Sequence, residues 1–181
     1  MAELNLCQQK GQLAFNLFDT NRDGFLERSD IDRVIDRVAE VLGHQVGSPE
    51  YAMIQSEYSA LWDTLIALDT DVDGRLSTEE WLRVFGDLAD AAQNQKEVFE
   101  AVFSRMFALF DTNSDGKVSA VEFESWLVAH GATESNASTA FRKLDRSGDG
   151  EFSRWEVRKA IAEFVSSEEP DAPGNWLFGK F

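Results

Sequence analysis

Residues 111–122 read DTNSDGKVSAVE, and the same grammar returns as DTNRDGFLERSD at 19–30, DTDVDGRLSTEE at 69–80 and DRSGDGEFSRWE at 145–156. Each stretch carries Asp first, an oxygen-bearing side chain third, Asp fifth, Gly sixth and an acid twelfth. Apolar residues precede every stretch at helical spacing: Phe15 and Phe18, Leu65 and Leu68, Phe107 and Phe110, Phe141 and Leu144. Others follow it: Ile31, Val34 and Ile35; Trp81, Val84 and Phe85; Phe123, Trp126 and Leu127; Val157, Ala160 and Ile161. Residues at i, i+3 and i+4 share one helix face, so each flank is predicted to be an amphipathic helix whose stripe enters a core. The chain reads as helix–loop–helix four times, an all-α fold.

The loops have the chemistry of a hard cation site. Ca2+ takes roughly six to eight oxygens, and a chain wound around it offers them from alternate positions. Positions one, three and five supply side chains: Asp19, Asn21 and Asp23; Asp69, Asp71 and Asp73; Asp111, Asn113 and Asp115; Asp145, Ser147 and Asp149. Position seven supplies a backbone carbonyl, from Phe25, Arg75, Lys117 or Glu151. Position nine, often acting through water, holds Glu27, Ser77, Ser119 or Ser153. Position twelve holds Asp30, Glu80, Glu122 or Glu156, and a Glu there can give both oxygens. Gly at position six permits the sharp bend. This is the EF-hand calcium loop. Asp30 is one methylene short, so loop one is expected to reach an ion with one oxygen or through water, which lowers coordination toward six and favours Mg2+. Glu27 offers partial compensation. The expectation is three to four Ca2+ ions, with Mg2+ admitted at loop one. Ser147 is a neutral ligand and makes loop four weaker than loop two.

The eighth residue of every loop is apolar: Leu26, Leu76, Val118 and Phe152. It belongs in a short strand that pairs with a neighbouring loop, so hands are predicted to work in twos. Residues 1–90 form a first pair, 91–165 a second, and 166–181 a tail. The first interval between loops is long and contains a break from Gly43 to Pro49, with Ser48 as N-cap and Pro49 at the first helical position. Between hands two and three, GDLADAAQNQK reads either as a tight connection or as continued helix. The tail carries Trp176, Leu177, Phe178 and Phe181, too apolar to stay in water without docking.

Composition sets further bounds. The net charge of −16 over 181 residues opposes nucleic acid and anionic membranes as partners. Many of the acids are the loop ligands, and four divalent ions would halve the charge. A single cysteine, Cys7, allows no internal disulfide, fits a reducing cytoplasm and is expected to be a buried small hydrophobe. The N-terminal stretch reads without a signal peptide or Gly at position two, and no stretch reads as a membrane anchor. His44 and His130 are the only histidines and are expected at the surface or in caps. No nucleophile motif, phosphate loop or zinc spacing is present, so the chain is not read as an enzyme.

The uneven loop spacing, Asp30 closing loop one and the segment after the last hand resemble the sarcoplasmic calcium-binding protein family, which includes calexcitin and calerythrin. Coelenterazine-binding proteins and calcium-activated photoproteins share that architecture. The resemblance covers nearly the whole chain and is nearest calerythrin in FDTNRDGFLERSDI and the fourth hand. It departs at loop two, degenerate in calerythrin and complete here. It implies a compact monomeric globule acting as a cytosolic calcium buffer or transporter. Two alternatives stand beside it. A sensor with a dedicated partner is disfavoured by only three methionines, since Met-rich grooves suit promiscuous targets. A carrier of an apolar small molecule would use the 14 Phe and five Trp, which are expected to be core. Two histidines and two tyrosines, Tyr51 and Tyr58, argue against photoprotein chemistry.

Overall fold

The computed structural model describes residues 4–94 and 96–179. The tail residue Phe181 lies outside them. The described residues form helices α1 (Leu6–Phe18), α2 (Arg28–Leu42), α3 (Pro49–Ile66), α4 (Thr78–Gln93), α5 (Glu97–Phe110), α6 (Ala120–Ala129), α7 (Glu134–Leu144) and α8 (Arg154–Ser166). Four short strands intervene: β1 (Phe25–Leu26), β2 (Leu76–Ser77), β3 (Lys117–Ser119) and β4 (Glu151–Ser153). The fold is all-α with two small antiparallel pairings, as the periodicity predicts. Strand β1 pairs with β2 through Leu26 and Leu76, and β3 pairs with β4 through Val118 and Phe152. These four eighth-position residues are buried, so each pairing also seals one end of the core.

Local chemistry sets the helix ends. Asn5 caps α1 in a capping box with Gln8, and Ser48 caps α3 with Pro49 behind it. Gly43 ends α2 in the left-handed region, where a Cβ would be strained. The connection between hands two and three resolves as continued helix followed by a short break. Helix α4 runs to Gln93, and Asp90 then takes the side chains of Asn94 and Lys96 before α5 begins.

The predicted stripes enter one continuous core, with two exceptions: Leu68 and Val84 are only half-buried. Helix α3 stops at Ile66, which puts Leu68 in a turn rather than on the helix face. The first two hands meet the last two through α4 on α8, α2 on α6, α3 on α5 and α1 on α8. The amphipathic faces of both pairs are therefore spent on each other.

The tail turns through a 3-10 segment, Pro173–Trp176, and lies on α7 and α8. Leu177 is buried, and the Phe178 ring packs against Phe164 at 4.7 Å and Trp126 at 5.7 Å. A Cβ on Gly174 would collide with Glu163 and the Ala160 carbonyl, so the tail's close approach requires glycine there. One feature has no signal in the apolar pattern. Lys10 of α1 is fully buried, and its Nζ donates to the Ser167 carbonyl at 2.6 Å, Asn175 Oδ1 at 3.1 Å and the Glu163 carbonyl at 3.2 Å. A cation at the C-terminal carbonyls of α8 also complements the helix dipole. Cys7 is half-buried rather than buried, because its Sγ sits 3.6 Å from the same Ser167 carbonyl at the edge of this contact.

Candidate metal centres

The four loops are built alike. Asp19, Asp111 and Asp145 each follow directly on the last residue of α1, α5 and α7, while Asp69 follows α3 after the short turn. In every loop the first-position Oδ2 accepts from the sixth-position glycine N–H: Gly24 to Asp19 at 3.0 Å, Gly74 to Asp69 at 2.9 Å, Gly116 to Asp111 at 3.0 Å and Gly150 to Asp145 at 3.0 Å. Each of these glycines has φ of 87°, which folds the chain back over the Asp. The fifth-position Asp23, Asp73, Asp115 and Asp149 each accept from the next-but-one backbone N–H, at Phe25, Arg75, Lys117 and Glu151. The side chains of those seventh residues reach across the paired loops, and Arg75 Nε also donates to Asp73 Oδ2 of its own loop at 2.8 Å. The Arg75 guanidinium lies 4.0 Å from the Phe25 ring centre, and Lys117 pairs with Glu151.

The loop ends double as helix starts. Ser77, Ser119 and Ser153 are N-caps of α4, α6 and α8, and Glu80, Glu122 and Glu156 complete capping boxes with them. The ninth-position hydroxyls are thus tied to the twelfth-position carboxylates, at 2.8, 2.8 and 2.7 Å. In loop one Glu27 and Asp30 take these places, and Glu27 N–H donates to Asp30 Oδ2 at 3.1 Å. The third-position side chains also face inward. Asn21 and Asn113 bond to Asp23 and Asp115, and Ser147 bonds to Asp145. In loop two, oxygens of Asp69, Asp71 and Asp73 all lie within 4.8 Å of one another.

The electrostatics follow from these contacts. Backbone N–H groups of Thr70 and Ser77, with their hydroxyls, hold the Glu80 pKa down to about 2. Asp69 is held low mainly by the Gly74 N–H. Asp71 is pushed up, by desolvation first and then by Asp73, Asp69 and Glu80, despite a bond from the Asp73 N–H. At Glu156 burial opposes ionisation, but bonds from Ser153 and Ser147 outweigh it and lower the pKa. Three carboxylates converging in loop two repel one another, and the all-oxygen donor set is that of a hard divalent cation. The residues present fit such an ion in every loop, with Asp30 the shortest reach.

Sequence reasoning missed the second loop position. Thr20, Thr70 and Thr112 each bond the twelfth-position carboxylate with both N–H and hydroxyl. The signal was visible, since Thr recurs there in three loops. His130 takes the second of its two expected places. It does cap α6, but it is buried rather than at the surface. Its Nδ1 donates to the Trp126 carbonyl at 2.8 Å, which leaves Nε2 to accept from the Tyr58 hydroxyl at 3.2 Å. The ring stacks on Trp126 at 3.9 Å, and burial pushes its pKa down to about 4. His44 is half-buried in the break after α2.

The aromatic residues are mostly core. Trp81 is buried, with its indole N–H on the Gly11 carbonyl at 2.8 Å, whereas Trp155, the eleventh residue of loop four, is 61% exposed. An apolar cavity of about 160 Å3 lies among Phe18, Leu61, Trp81, Phe85, Met106 and Phe164. Small-molecule sites are typically about 300–1,000 Å3. His130 and Tyr58 do not line it. No helix among the described residues is long and apolar enough to cross a membrane.

A family profile for an EF-hand domain pair matches residues 59–128, and one for a single EF hand matches residues 12–35. Calerythrin of Saccharopolyspora erythraea is 32% identical over 156 residues, covering 83% of this chain and 86% of that protein. The beta chain of a sarcoplasmic calcium-binding protein from Penaeus is 25% identical, covering 90% of each. Among solved structures, the calcium-loaded apo form of the coelenterazine-binding protein of Renilla muelleri superposes with a TM-score of 0.76 over 97% of this chain and 96% of that one. At 24% identity that last likeness speaks for the fold alone.

Proposed function

The chain belongs to the calerythrin and sarcoplasmic calcium-binding protein family of EF-hand proteins, and from that premise we propose that it is a cytoplasmic, monomeric, non-enzymatic calcium buffer. The observation that carries the reading is how the amphipathic faces are used. Both pairs of hands bury their stripes in one core through α4–α8, α2–α6 and α3–α5, so little apolar surface is held for a target. Residues 1–90 and 91–165 act as the two paired units, and 166–181 pins the second. Loops two, three and four bind Ca2+ through the oxygens of Asp69, Asp71, Asp73 and Glu80; Asp111, Asn113, Asp115 and Glu122; Asp145, Ser147, Asp149 and Glu156. The carbonyls of Arg75, Lys117 and Glu151 complete each set. Loop one, with Asp19, Asn21, Asp23, Phe25, Glu27 and Asp30, binds Ca2+ or Mg2+. The bound ion supplies positive charge that relieves carboxylate repulsion and couples the helices at each loop's ends.

A second reading, a sensor with one dedicated partner, is favoured by a surface cleft of about 670 Å3 between α3 and loop three. It is lined by exposed Met53, half-buried Ile54 and Leu42, and also by Asp111 and Asn113. Calorimetric calcium titration, repeated in millimolar magnesium, tests the sites. Three or four calcium events, one of them suppressed by magnesium, are expected. No heat and no change in Trp emission would overturn the reading. Dye binding to apolar surface separates the two roles. A buffer shows equal or lower exposure with calcium, a sensor greater exposure.

A further inference from the structure

The twelfth-position carboxylate of loop one differs from the other three in more than length. Both oxygens of Asp30 are engaged, and the side chain is fully shut from water. Oδ1 takes the Thr20 hydroxyl at 2.7 Å, the Thr20 N–H at 3.2 Å and Nη1 of Arg33 at 2.7 Å, while Oδ2 takes the Glu27 N–H. Arg33 is one helical step along α2, where an i+3 side chain reaches back over the first turn. It also bonds the Thr20 hydroxyl at 2.9 Å.

The other hands lack this pairing. Three residues after Glu80 stands Arg83, which bonds the Thr70 hydroxyl at 3.1 Å. Glu80 itself takes only neutral donors from Thr70 and Ser77. In hand three that position is Ser125. In hand four it is Lys159, which lies 5.1 Å from the Trp155 ring. Among the described residues, Asp30 alone of the four twelfth-position carboxylates pairs with a cation.

We propose that Arg33 is the specificity-determining residue of loop one, an internal cation that competes with the metal for Asp30. The proposal rests on the reading of that loop as a divalent-ion site. Two effects act together. The guanidinium's charge opposes a divalent ion held by the same carboxylate. Its hold brings the donors on Oδ1 to three against one on Oδ2, which leaves Oδ2 the less engaged oxygen, and a single oxygen suits a six-coordinate ion such as Mg2+ better than Ca2+ with its larger shell. Length of the acid and charge of its neighbour thus push loop one the same way, and only the second is removable without touching a ligand.

The test is site-resolved. The Gly24 amide, bonded to Asp19, reports loop one in a 1H–15N spectrum, and Gly74, Gly116 and Gly150 report the others. Separate Ca2+ and Mg2+ titrations would compare the parent protein with Arg33→Gln, Arg33→Lys and Arg83→Gln. Arg33→Gln is expected to tighten Ca2+ at Gly24 about three- to tenfold and to raise its preference over Mg2+. Arg33→Lys, which keeps the charge, should stay within about twofold of the parent. Arg83→Gln should leave the Ca2+ to Mg2+ preference at Gly74 unchanged. Arg33 is half-exposed, and unchanged transitions at Gly74, Gly116 and Gly150 would show that the variant folds. If those three glycines titrate while Gly24 behaves identically in parent and Arg33→Gln, or titrates in neither, the role of Arg33 is overturned and the calcium reading stands. Equal preference shifts in Arg33→Gln and Arg83→Gln overturn it too. If none of the four glycines responds to either ion, the calcium reading falls with it.

Discussion

The loops and the interior hold charge in opposite ways. At the surface, loop two brings the carboxylates of Asp69, Asp71 and Asp73 within 4.8 Å of one another. Inside, Lys10 and His130 are shut from water, Lys10 donating to the Glu163 and Ser167 carbonyls and Asn175 Oδ1, and His130 bonded to the Trp126 carbonyl and the Tyr58 hydroxyl. Crowded like charges are relieved by a cation, whereas a lone buried group is held by its hydrogen bonds and its protonation state. Metal should therefore act on the loops, and mild acid, above the range where carboxylates titrate, on the interior.

The largest response belongs to the loops. An ion that binds only the folded chain stabilises it by about 2.7 kcal/mol per site at a hundredfold excess over Kd, so three such sites would add about 8 kcal/mol. Scanning calorimetry with calcium and with a chelator measures the difference as a rise in Tm. Glu156→Gln should remove about one site's share. A rise no larger than a single site provides would break the comparison, because the loops would then be mere turns.

Lys10 comes next. Lys10→Met keeps the length of the side chain but leaves the Ser167 carbonyl and Asn175 Oδ1 without their donor. Leaving the buried Asn175 Oδ1 unpaired, and the half-buried Ser167 carbonyl with only the long Cys7 Sγ contact, should cost about 2 kcal/mol in chemical denaturation. Calcium affinity at loop two should hardly move. If the variant is as stable as the parent, the tail is not anchored through this lysine.

These two regions also differed in how far they could be read beforehand. The loops are local: twelve residues contain the ligands, the bend and, through Ser77 to Glu80 and its two counterparts, the cap of the next helix. Spacing alone exposes them, and the apolar eighth residue foretells the β1–β2 and β3–β4 pairings. The buried polar groups depend on partners far along the chain. Lys10 meets Asn175 across 165 positions, and Tyr58 meets His130 across 72. Nothing in a helical stripe tells a buried lysine from a surface one, so the polar ties that fasten the halves and the tail stayed invisible. His130, expected at the surface or in a cap, is a cap, but its burial against Tyr58 had no local signal. Arg33 was hidden differently, since i+3 spacing allows the contact without requiring it.

The pH response tests the interior. An unfolded His takes its proton near 6.5, while His130 in the fold resists it until about 4. Between those values the unfolded chain binds more protons, so stability falls as pH falls. The loss should be about 2 kcal/mol between about pH 6 and 4.5. Glu80, also held low, adds its own loss only below its ordinary value of 4.5, so the two windows separate. His130→Phe should flatten the slope in the upper window while keeping a ring beside Trp126. An unchanged slope would place the titrating group elsewhere.

The smallest effect returns to the loops and asks whether they carry strain in their backbone as well as in their charges. The fourth position lies in the left-handed region in every loop: Arg22 at φ 59°, Val72 at 61°, Ser114 at 59° and Gly148 at 73°. Glycine adopts that conformation freely, but a β-branched side chain crowds its own carbonyl there. Val72 is 86% exposed, so its methyl groups contribute almost no burial to offset the strain. Its N–H still donates to Asp69 Oδ1 at 2.8 Å, a bond that any residue but proline would keep. Asn tolerates the left-handed region and, unlike Gly, adds little freedom to the unfolded chain. Val72→Asn should therefore raise stability by about 1 kcal/mol in chelator, measured by urea denaturation. Val72→Gly should gain less, because the unfolded chain also gains freedom. If Asn and Gly both leave stability unchanged, the turn at position four is relaxed. The cost of gathering Asp69, Asp71 and Asp73 would then lie in electrostatic repulsion alone.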